Sequence, residues 1–197
     1  MEISAAHVKT LRDRTGAPMM ECKRALTQAN GDIAQAEIVL LRSGIAAAAK
    51  KATRAASEGS VGSYIHAGGK LGVLVEVACE SDFVARTDEF QQLLHDLAMH
   101  IAAAGPRYLT REQVTPETLE AERAKVLAEV QGKPAGVLEK IVEGRLAKYF
   151  EENCLLDQHF VKDDKVTIAD LVASKVAKFG ENIQVRRYTR FKVGEDA

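Results

Sequence analysis

The sequence lacks tryptophan, contains only four prolines and three cysteines, and has no clear excess of either charge. With 27 basic and 28 acidic residues, its net charge of -1 predicts no direct binding to nucleic acid or to an anionic membrane. No apolar run approaches the roughly 18 residues of a membrane-spanning helix, and Met1–Lys9 does not resemble a signal peptide. The widely separated Cys22, Cys79 and Cys154 predict reduced thiols and a cytoplasmic location.

The usual signatures of enzymes are also missing. Among the five histidines, His95 and His100 are five residues apart, whereas two metal ligands on one helix face need a spacing of four. No nucleophile elbow, phosphate-binding loop or dinucleotide fingerprint occurs. The sequence therefore predicts neither catalytic residues nor a bound metal or cofactor.

The composition is that of a soluble globular protein, with 46% hydrophobic and 28% charged residues. Helical and strand patterns both occur, which predicts an α+β fold. The alanine-rich stretch after Gly44 indicates a linker helix, and Ser57–Ser60 is typical of a hinge. These features predict a helical domain over residues 1–44, a linker over 45–60 and an α+β core over 61–197.

The first domain is predicted to contain three short helices. Ser4 is suited to cap the first helix, and Gly16 to end it. Asp32 is suited to cap the third helix, for which Ser43-Gly44 gives the expected end.

The core is predicted to contain a small antiparallel sheet of three strands. The strands are expected at Val61–His66, Leu71–Ala78 and Val185–Val193, the last pairing with the hairpin formed by the first two. Apolar periodicity predicts four helices, over Ser81–Ala104, Pro116–Gln131, Ala135–Asn153 and Thr167–Phe179.

Two surface features have alternative explanations. Met19 and Met20 are adjacent, so they point in different directions on a helix; they indicate either an adaptable partner contact or a helix buried on two sides. The basic stretch from Arg42 to Arg54 contains no acidic residue, and we favour a solvated face over contact with RNA or an acidic protein.

The segment Glu80–Arg86 lies where a buried strand ends and a helix begins. Ser81 is a good N-cap, and Asp82 in the first turn suits the helix dipole. Phe83 precedes Phe90 by seven residues, so helical spacing favours a core position, whereas its place at the helix tip favours projection from the domain. A small enzyme using Glu80 and Asp82 as acid and base is a further, weaker interpretation.

Five segments in order along the chain resemble the elongation factor Ts family. They are Leu11–Leu26 with Asn30–Asp32, Ser63–Val75, Glu80–Arg86, Glu139–Arg145 and Arg190–Glu195. The resemblance spans nearly the whole chain. It implies an N-terminal three-helix domain like ubiquitin-associated domains, joined to an α+β core.

The resemblance also implies a function and a set of site residues. The implied partner is the GTPase elongation factor Tu, and the activity is nucleotide exchange, in which the partner's magnesium ion is displaced and GDP is released. The motif tied to magnesium displacement matches Ser81, Asp82, Phe83 and Val84, with Ser81 in place of a threonine. The matching partner-binding positions are Arg12, Met19, Met20, Lys23 and, on the core, His66.

This chain has room for a single core, whereas longer members of the family carry two related core subdomains. The resemblance to short members therefore implies a homodimer. The rival interpretation is a generic binding module, in which the three-helix domain recognises a peptide or a ubiquitin-like partner.

Overall fold

The computed structural model describes residues 3–130 and 134–195. Within these residues the fold is α+β, with eight α-helices and an antiparallel sheet of three strands. The chain divides into two compact units, each assembled from separate stretches. The first comprises Met1–Gly62, Val75–Leu94 and Ala169–Arg186, and the second Ser63–Leu74, His95–Ile168 and Arg187–Ala197.

The three N-terminal helices are confirmed as α1 (Ala5–Thr15), α2 (Met19–Gln28) and α3 (Ile33–Lys51). Their predicted caps are also confirmed. Ser4 Oγ accepts a hydrogen bond from the His7 amide at 3.2 Å, and Asp32 Oδ1 accepts one from the Gln35 amide at 3.0 Å. Gly16 ends α1 at a φ of +65°, a conformation that glycine adopts without strain. The helices enclose a small core of buried side chains, namely Val8, Leu11, Cys22, Ala25, Leu26 and Ala36.

The predicted end of the third helix at Ser43-Gly44 is wrong, because α3 continues to Lys51. Gly44 is buried, and a Cβ added there would lie 3.7 Å from the Ala173 carbonyl oxygen and from the Ala177 Cβ. These are ordinary packing distances, so Gly44 is a buried interior position of α3 that packs against Ala173 and Ala177, and it does not end the helix.

The predicted sheet is confirmed. Its strands are β1 (Glu58–Ile65), β2 (Leu71–Cys79) and β5 (Ile183–Lys192), in the order β1-β2-β5, so that the last strand pairs with β2. The expected hinge at Ser57–Ser60 is wrong, because β1 already begins at Glu58.

The predicted helix Ser81–Ala104 is two helices, α4 (Asp82–Ala85) and α5 (Asp88–Ala104). Thr87 causes the break. Its Oγ1 donates a hydrogen bond to the Val84 carbonyl at 2.8 Å and accepts one from the Phe90 amide at 3.3 Å. The hydroxyl thus closes one helix and caps the next.

The other predicted helices are confirmed as α6 (Pro116–Glu129), α7 (Ala135–Asn153) and α8 (Ile168–Phe179). Gln131, the expected end of the first of these, lies outside the described residues. A second antiparallel pair, β3 (His159–Phe160) and β4 (Asp163–Thr167), was not predicted, because Asp163-Asp164-Lys165 lacks the apolar alternation of a strand. None of the described helices has the length and apolar character needed to cross a membrane.

Candidate functional site

The residues from Ser81 to Ala85 form a helix tip that directly follows the buried end of β2. Ser81 is the N-cap of α4, as predicted, and its Oγ accepts a hydrogen bond from the Val84 amide at 3.4 Å. Asp82 lies in the first turn and pairs with Arg86 at 2.6 Å, with both side chains largely exposed. We call Ser81–Ala85 the α4 tip below.

Glu181 holds Ser81 through two hydrogen bonds. The Ser81 hydroxyl donates to Glu181 Oε1 at 2.6 Å, and the Ser81 amide donates to Oε2 at 3.0 Å. The Ser81 carbonyl accepts from Cys79 Sγ at 3.2 Å. The hydroxyl, amide and carbonyl of Ser81 therefore all make hydrogen bonds, which fixes the start of the α4 tip.

Phe83 is 81% exposed, whereas its neighbours Val84 and Ala85 are buried. The interpretation of Phe83 as a core residue is therefore wrong for the free chain. It assumed one continuous helix through Phe90, but the break at Thr87 changes the helical phase between the two aromatic rings. Val84 and Ala85 anchor the tip, and the Phe83 ring projects from it.

Glu80 and Asp82 have separate structural partners. Glu80 Oε1 accepts a hydrogen bond from the Asn182 amide at 2.6 Å and lies 3.5 Å from the Arg54 guanidinium, whereas Asp82 pairs with Arg86. The two carboxylates therefore contact different partners, and this arrangement does not support their use as a catalytic acid and base. Arg54, from the basic stretch, has a structural role as a partner of Glu80.

The predicted partner-binding residues of the helical domain all lie on the surface. Arg12 is exposed on α1, and Lys23 is exposed on α2. Met19 is 45% and Met20 67% exposed, so a helix buried on two sides is wrong as the explanation of this pair. Exposed methionines are flexible apolar contacts suited to an irregular partner surface.

His66, the remaining predicted contact, lies just after β1 and belongs to the second compact unit. Its side chain is exposed. Its Nδ1 is 3.0 Å from the Tyr64 hydroxyl, which restrains the orientation of the imidazole ring. The Tyr64 ring also contacts His95 edge-on, with centroids 5.8 Å apart.

The buried cysteines and His100 are structural. All three cysteines are buried and unpaired, and burial raises the pKa of Cys154 to about 11, so its thiol stays protonated at neutral pH. His100 Nδ1 accepts a hydrogen bond from the Val161 amide at 3.3 Å, and Nε2 is 3.0 Å from Gln158 Oε1. In the described part of the chain, no group of three or more His, Cys, Asp or Glu side chains is arranged to hold a metal ion.

Sequence reasoning missed the supporting residues Glu181 and Asn182. They follow Gly180 at the end of α8, and no spacing pattern links them to Ser81, which lies 100 positions earlier than Glu181. Only the fold brings these segments together. The described features combine an α+β fold with exposed apolar side chains on well-supported helix positions, which is typical of a protein-binding factor.

Comparison with known proteins agrees with this class. The family model described as elongation factor TS matches residues 32–195. The elongation factor Ts of Koribacter versatilis is 60% identical over 197 residues, covering 99% of this chain and 90% of that protein. Those of Solibacter usitatus and Carboxydothermus hydrogenoformans are 58% and 56% identical, each covering 98% of this chain and at least 90% of the relative.

The chain belongs to the elongation factor Ts family, which confirms the resemblance found in its five segments. Membership places it among the translation elongation factors.

Proposed function

We propose that this protein is a nucleotide exchange factor and not a catalytic enzyme. It binds the GDP complex of elongation factor Tu, displaces the magnesium ion of that GTPase and promotes GDP release so that GTP can bind. The observation that carries this proposal is the 81% exposed ring of Phe83 on the α4 tip, within the family motif Ser81–Val84. Membership in the elongation factor Ts family supports the choice of partner.

The physical basis of such exchange is differential binding. Magnesium neutralises the nucleotide phosphates in a GTPase, so its displacement weakens nucleotide binding. A factor that binds the nucleotide-free GTPase more tightly than the loaded form must weaken nucleotide binding by the same factor. Phe83 would enter the partner next to its metal site, and Asp82 at the same tip would interact with polar groups there.

The Phe83 ring cannot supply the whole effect. Shifting a two-state equilibrium from 1:99 to 99:1, a change of about 10⁴-fold, requires roughly 5.5 kcal/mol of differential binding. Burying one aromatic side chain contributes about 2–3 kcal/mol. The rest must come from a wider contact surface, to which we assign Arg12, Met19, Met20 and Lys23, all exposed on α1 and α2.

We also propose His66, which lies in the second unit, as a contact residue for the partner. Because the Tyr64 hydroxyl lies 3.0 Å from its Nδ1, the exposed imidazole is held in one orientation before the partner arrives. A restrained contact residue loses less conformational entropy on binding than a mobile one.

We also propose the organisation implied by the family. It consists of a three-helix domain like ubiquitin-associated domains over residues 1–44, a linker over 45–60 that includes the last part of α3 and the first residues of β1, and the core over 61–197. The side-chain caps of α1 and α3 and the core cluster that the three helices share support the first element.

A homodimer is proposed as the working form. Within the second unit, three apolar side chains on the strands of the sheet are exposed, namely Ile65, Leu74 and Phe191, as is Val193 directly after β5. A Cβ added at Gly72 would come within 2.8 Å of Ile65 Cδ1, so Ile65 lies over the neighbouring strand. A second copy covering this surface would remove the exposed side chains from water. We place the protein in the cytoplasm, where translation occurs, without a membrane or nucleic acid as direct partner.

The decisive experiment is the release of fluorescent GDP from elongation factor Tu, measured by stopped flow with and without this protein. We expect wild type to accelerate release strongly and Phe83→Ala to reduce that acceleration by about 30- to 160-fold, as expected for the loss of roughly 2–3 kcal/mol. Val161→Ala is the matched control, because Val161 is also an exposed apolar side chain but lies between β3 and β4.

An unchanged release rate with Phe83→Ala would contradict the role of the ring. If wild type itself has no effect on GDP release, the proposed function is wrong.

A further inference from the structure

The direction in which Phe83 points depends on its backbone. Because the ring is 81% exposed, few side-chain contacts hold it in place. The helix that carries it, α4, has only four residues, and so short a helix is not stable on its own. The orientation of the ring must therefore come from what holds the two ends of α4.

The C-terminal end of α4 is held by burial and by Thr87. Val84 and Ala85 are buried, and Thr87 Oγ1 donates to the Val84 carbonyl at 2.8 Å. Gln91 Nε2 also donates to the Ala85 carbonyl at 2.8 Å. These contacts fix the residues that follow Phe83.

The N-terminal end is held by Glu181. Both of its carboxylate oxygens accept hydrogen bonds from Ser81, at 2.6 Å from the hydroxyl and 3.0 Å from the amide. Such a charge-assisted, two-point contact is stronger and more directional than a single neutral hydrogen bond. The pair between Asp82 and Arg86 cannot replace it, because both side chains are more than half exposed and exposed pairs contribute little.

Glu181 is itself held firmly by the turn between α8 and β5. Gly180 ends α8 at a φ of +75°, and the next residue but one, Asn182, is buried. The Asn182 amide donates to Glu80 Oε1 at 2.6 Å, and Asn182 Nδ2 donates to the Arg54 carbonyl at 2.8 Å. Glu80 directly precedes Ser81, so the turn contacts both the first residue of the α4 tip and the residue before it.

We propose that Glu181 is a positioning residue that fixes the direction in which Phe83 projects, acting through Ser81. It is half-buried behind the tip and does not need to touch the partner. The inference rests on the proposed function only for its effect on exchange, whereas the fixed direction of Phe83 is a property of the free chain.

The absence of tryptophan allows a direct test in the free protein. Phe83→Trp introduces a single tryptophan at the tip, and its time-resolved fluorescence anisotropy reports local motion. We expect adding Glu181→Ala to increase the amplitude of the fast anisotropy decay of Trp at position 83. Glu37→Ala is the control, since Glu37 also loses an ion pair, with Arg14 at 3.3 Å, but does not contact Ser81.

Glu181→Gln is a more conservative variant, which tests whether Glu181→Ala acts only through a folding defect. The amide keeps one acceptor oxygen and the shape of the side chain, so we expect a decay between those of wild type and Glu181→Ala. Circular dichroism checks that each variant is folded. If Glu181→Ala and Glu181→Gln are both folded and neither raises the amplitude of the fast anisotropy decay above that of Phe83→Trp alone, the positioning role is wrong.

The second test is a double-mutant cycle in the GDP-release assay. We expect Glu181→Ala to reduce the maximal release rate by about tenfold, as misplacement of a reacting group does, with a smaller change in the half-saturating concentration. Because Glu181 acts through Phe83, adding Glu181→Ala to Phe83→Ala should slow release no further. A further slowing in the double variant would overturn the proposal. If Phe83→Ala alone leaves release unchanged, the function proposed for the ring fails, and the anisotropy measurement alone decides the role of Glu181.

Discussion

Phe83 and Phe90 lie seven residues apart on opposite sides of Thr87, and their surroundings differ completely. Phe83 in α4 is 81% exposed, whereas Phe90 in α5 is fully buried. In one continuous helix, residues seven apart share a face, so the two rings would have been neighbours in the same core.

The difference shows that a break between two short helices can place one ring in water and the other in the core. Thr87 Oγ1 donates to the last turn of α4 and accepts from the first turn of α5. Because the Thr87 hydroxyl takes the place of regular helical hydrogen bonds here, α4 can expose Phe83 while α5 buries Phe90. The following predictions test how sharply the two helices are separated, beginning with the largest effect.

Phe90→Ala should lower the free energy of unfolding by about 3–5 kcal/mol, because it removes a fully buried ring and leaves a cavity. Urea unfolding followed by circular dichroism measures this change. Phe90→Leu, which retains most of the apolar volume, should cost much less. A loss below about 1 kcal/mol for Phe90→Ala would mean that α5 is not packed as described.

His100 on the same helix should make stability depend on pH. Burial lowers the pKa of His100, so the folded chain keeps it neutral while the unfolded chain takes up a proton near its ordinary pKa of 6.5. This stabilising contribution is therefore fully present above pH 6.5 and is lost as the pH falls toward the lowered pKa of the folded state. At pH 5.5 the loss is at most about 1.4 kcal/mol.

Unfolding free energies at pH 7.5 and 5.5 measure the effect of His100. His100→Gln should reduce this pH dependence, whereas His7→Gln, on the exposed face of α1, should not reduce it comparably. An unchanged pH dependence in His100→Gln would show that His100 does not titrate differently on folding.

Thr87→Ala should cost about 1 kcal/mol of stability, the usual effect of removing an N-cap hydroxyl. Thr87→Ser keeps the hydroxyl and should behave like wild type. Hydrogen exchange of the Phe90 amide gives the local measurement, since that amide donates to Thr87 Oγ1. If the amide exchanges equally fast in the alanine and serine variants, Thr87 is not the residue that separates the helices.

Phe83→Ala should change the free energy of unfolding by no more than about 0.5 kcal/mol, because the ring is already exposed to water. The same urea unfolding used for Phe90→Ala provides the measurement. A loss above about 1 kcal/mol would show that Phe83 packs into the core in solution, and the contrast between the two rings would disappear.

Features determined by a few neighbouring residues were predictable from the sequence. Ser4, Asp32 and Ser81 cap helices as expected, because a cap needs only one side chain and an amide two or three residues later. The three strands were predictable from their apolar residues and turns. The exposure of Met19 and Met20 was one of two alternatives, since adjacent residues on a helix cannot share one narrow face.

Features that depend on distant partners were not predictable. Gly44 has the appearance of a helix end, but its contact with α8 makes it a packing residue. Glu181 has no local pattern that connects it with Ser81, although their two hydrogen bonds complete the candidate site. The site motif was therefore recognisable in the sequence, whereas the groups that hold it were not.

The position of β5 has a consequence for synthesis of the chain. Helices α1 to α3 pack together within the first 51 residues, so they can form while the rest is still being translated. β2 can pair at once with β1, but its other edge waits for β5, about 100 residues further along, and closing so long a loop is slow. Glu181 arrives with that strand. A nascent chain therefore contains Ser81–Val84 long before the Glu181 carboxylate that hydrogen-bonds Ser81, and the full set of contacts around α4 forms only in a nearly complete polypeptide.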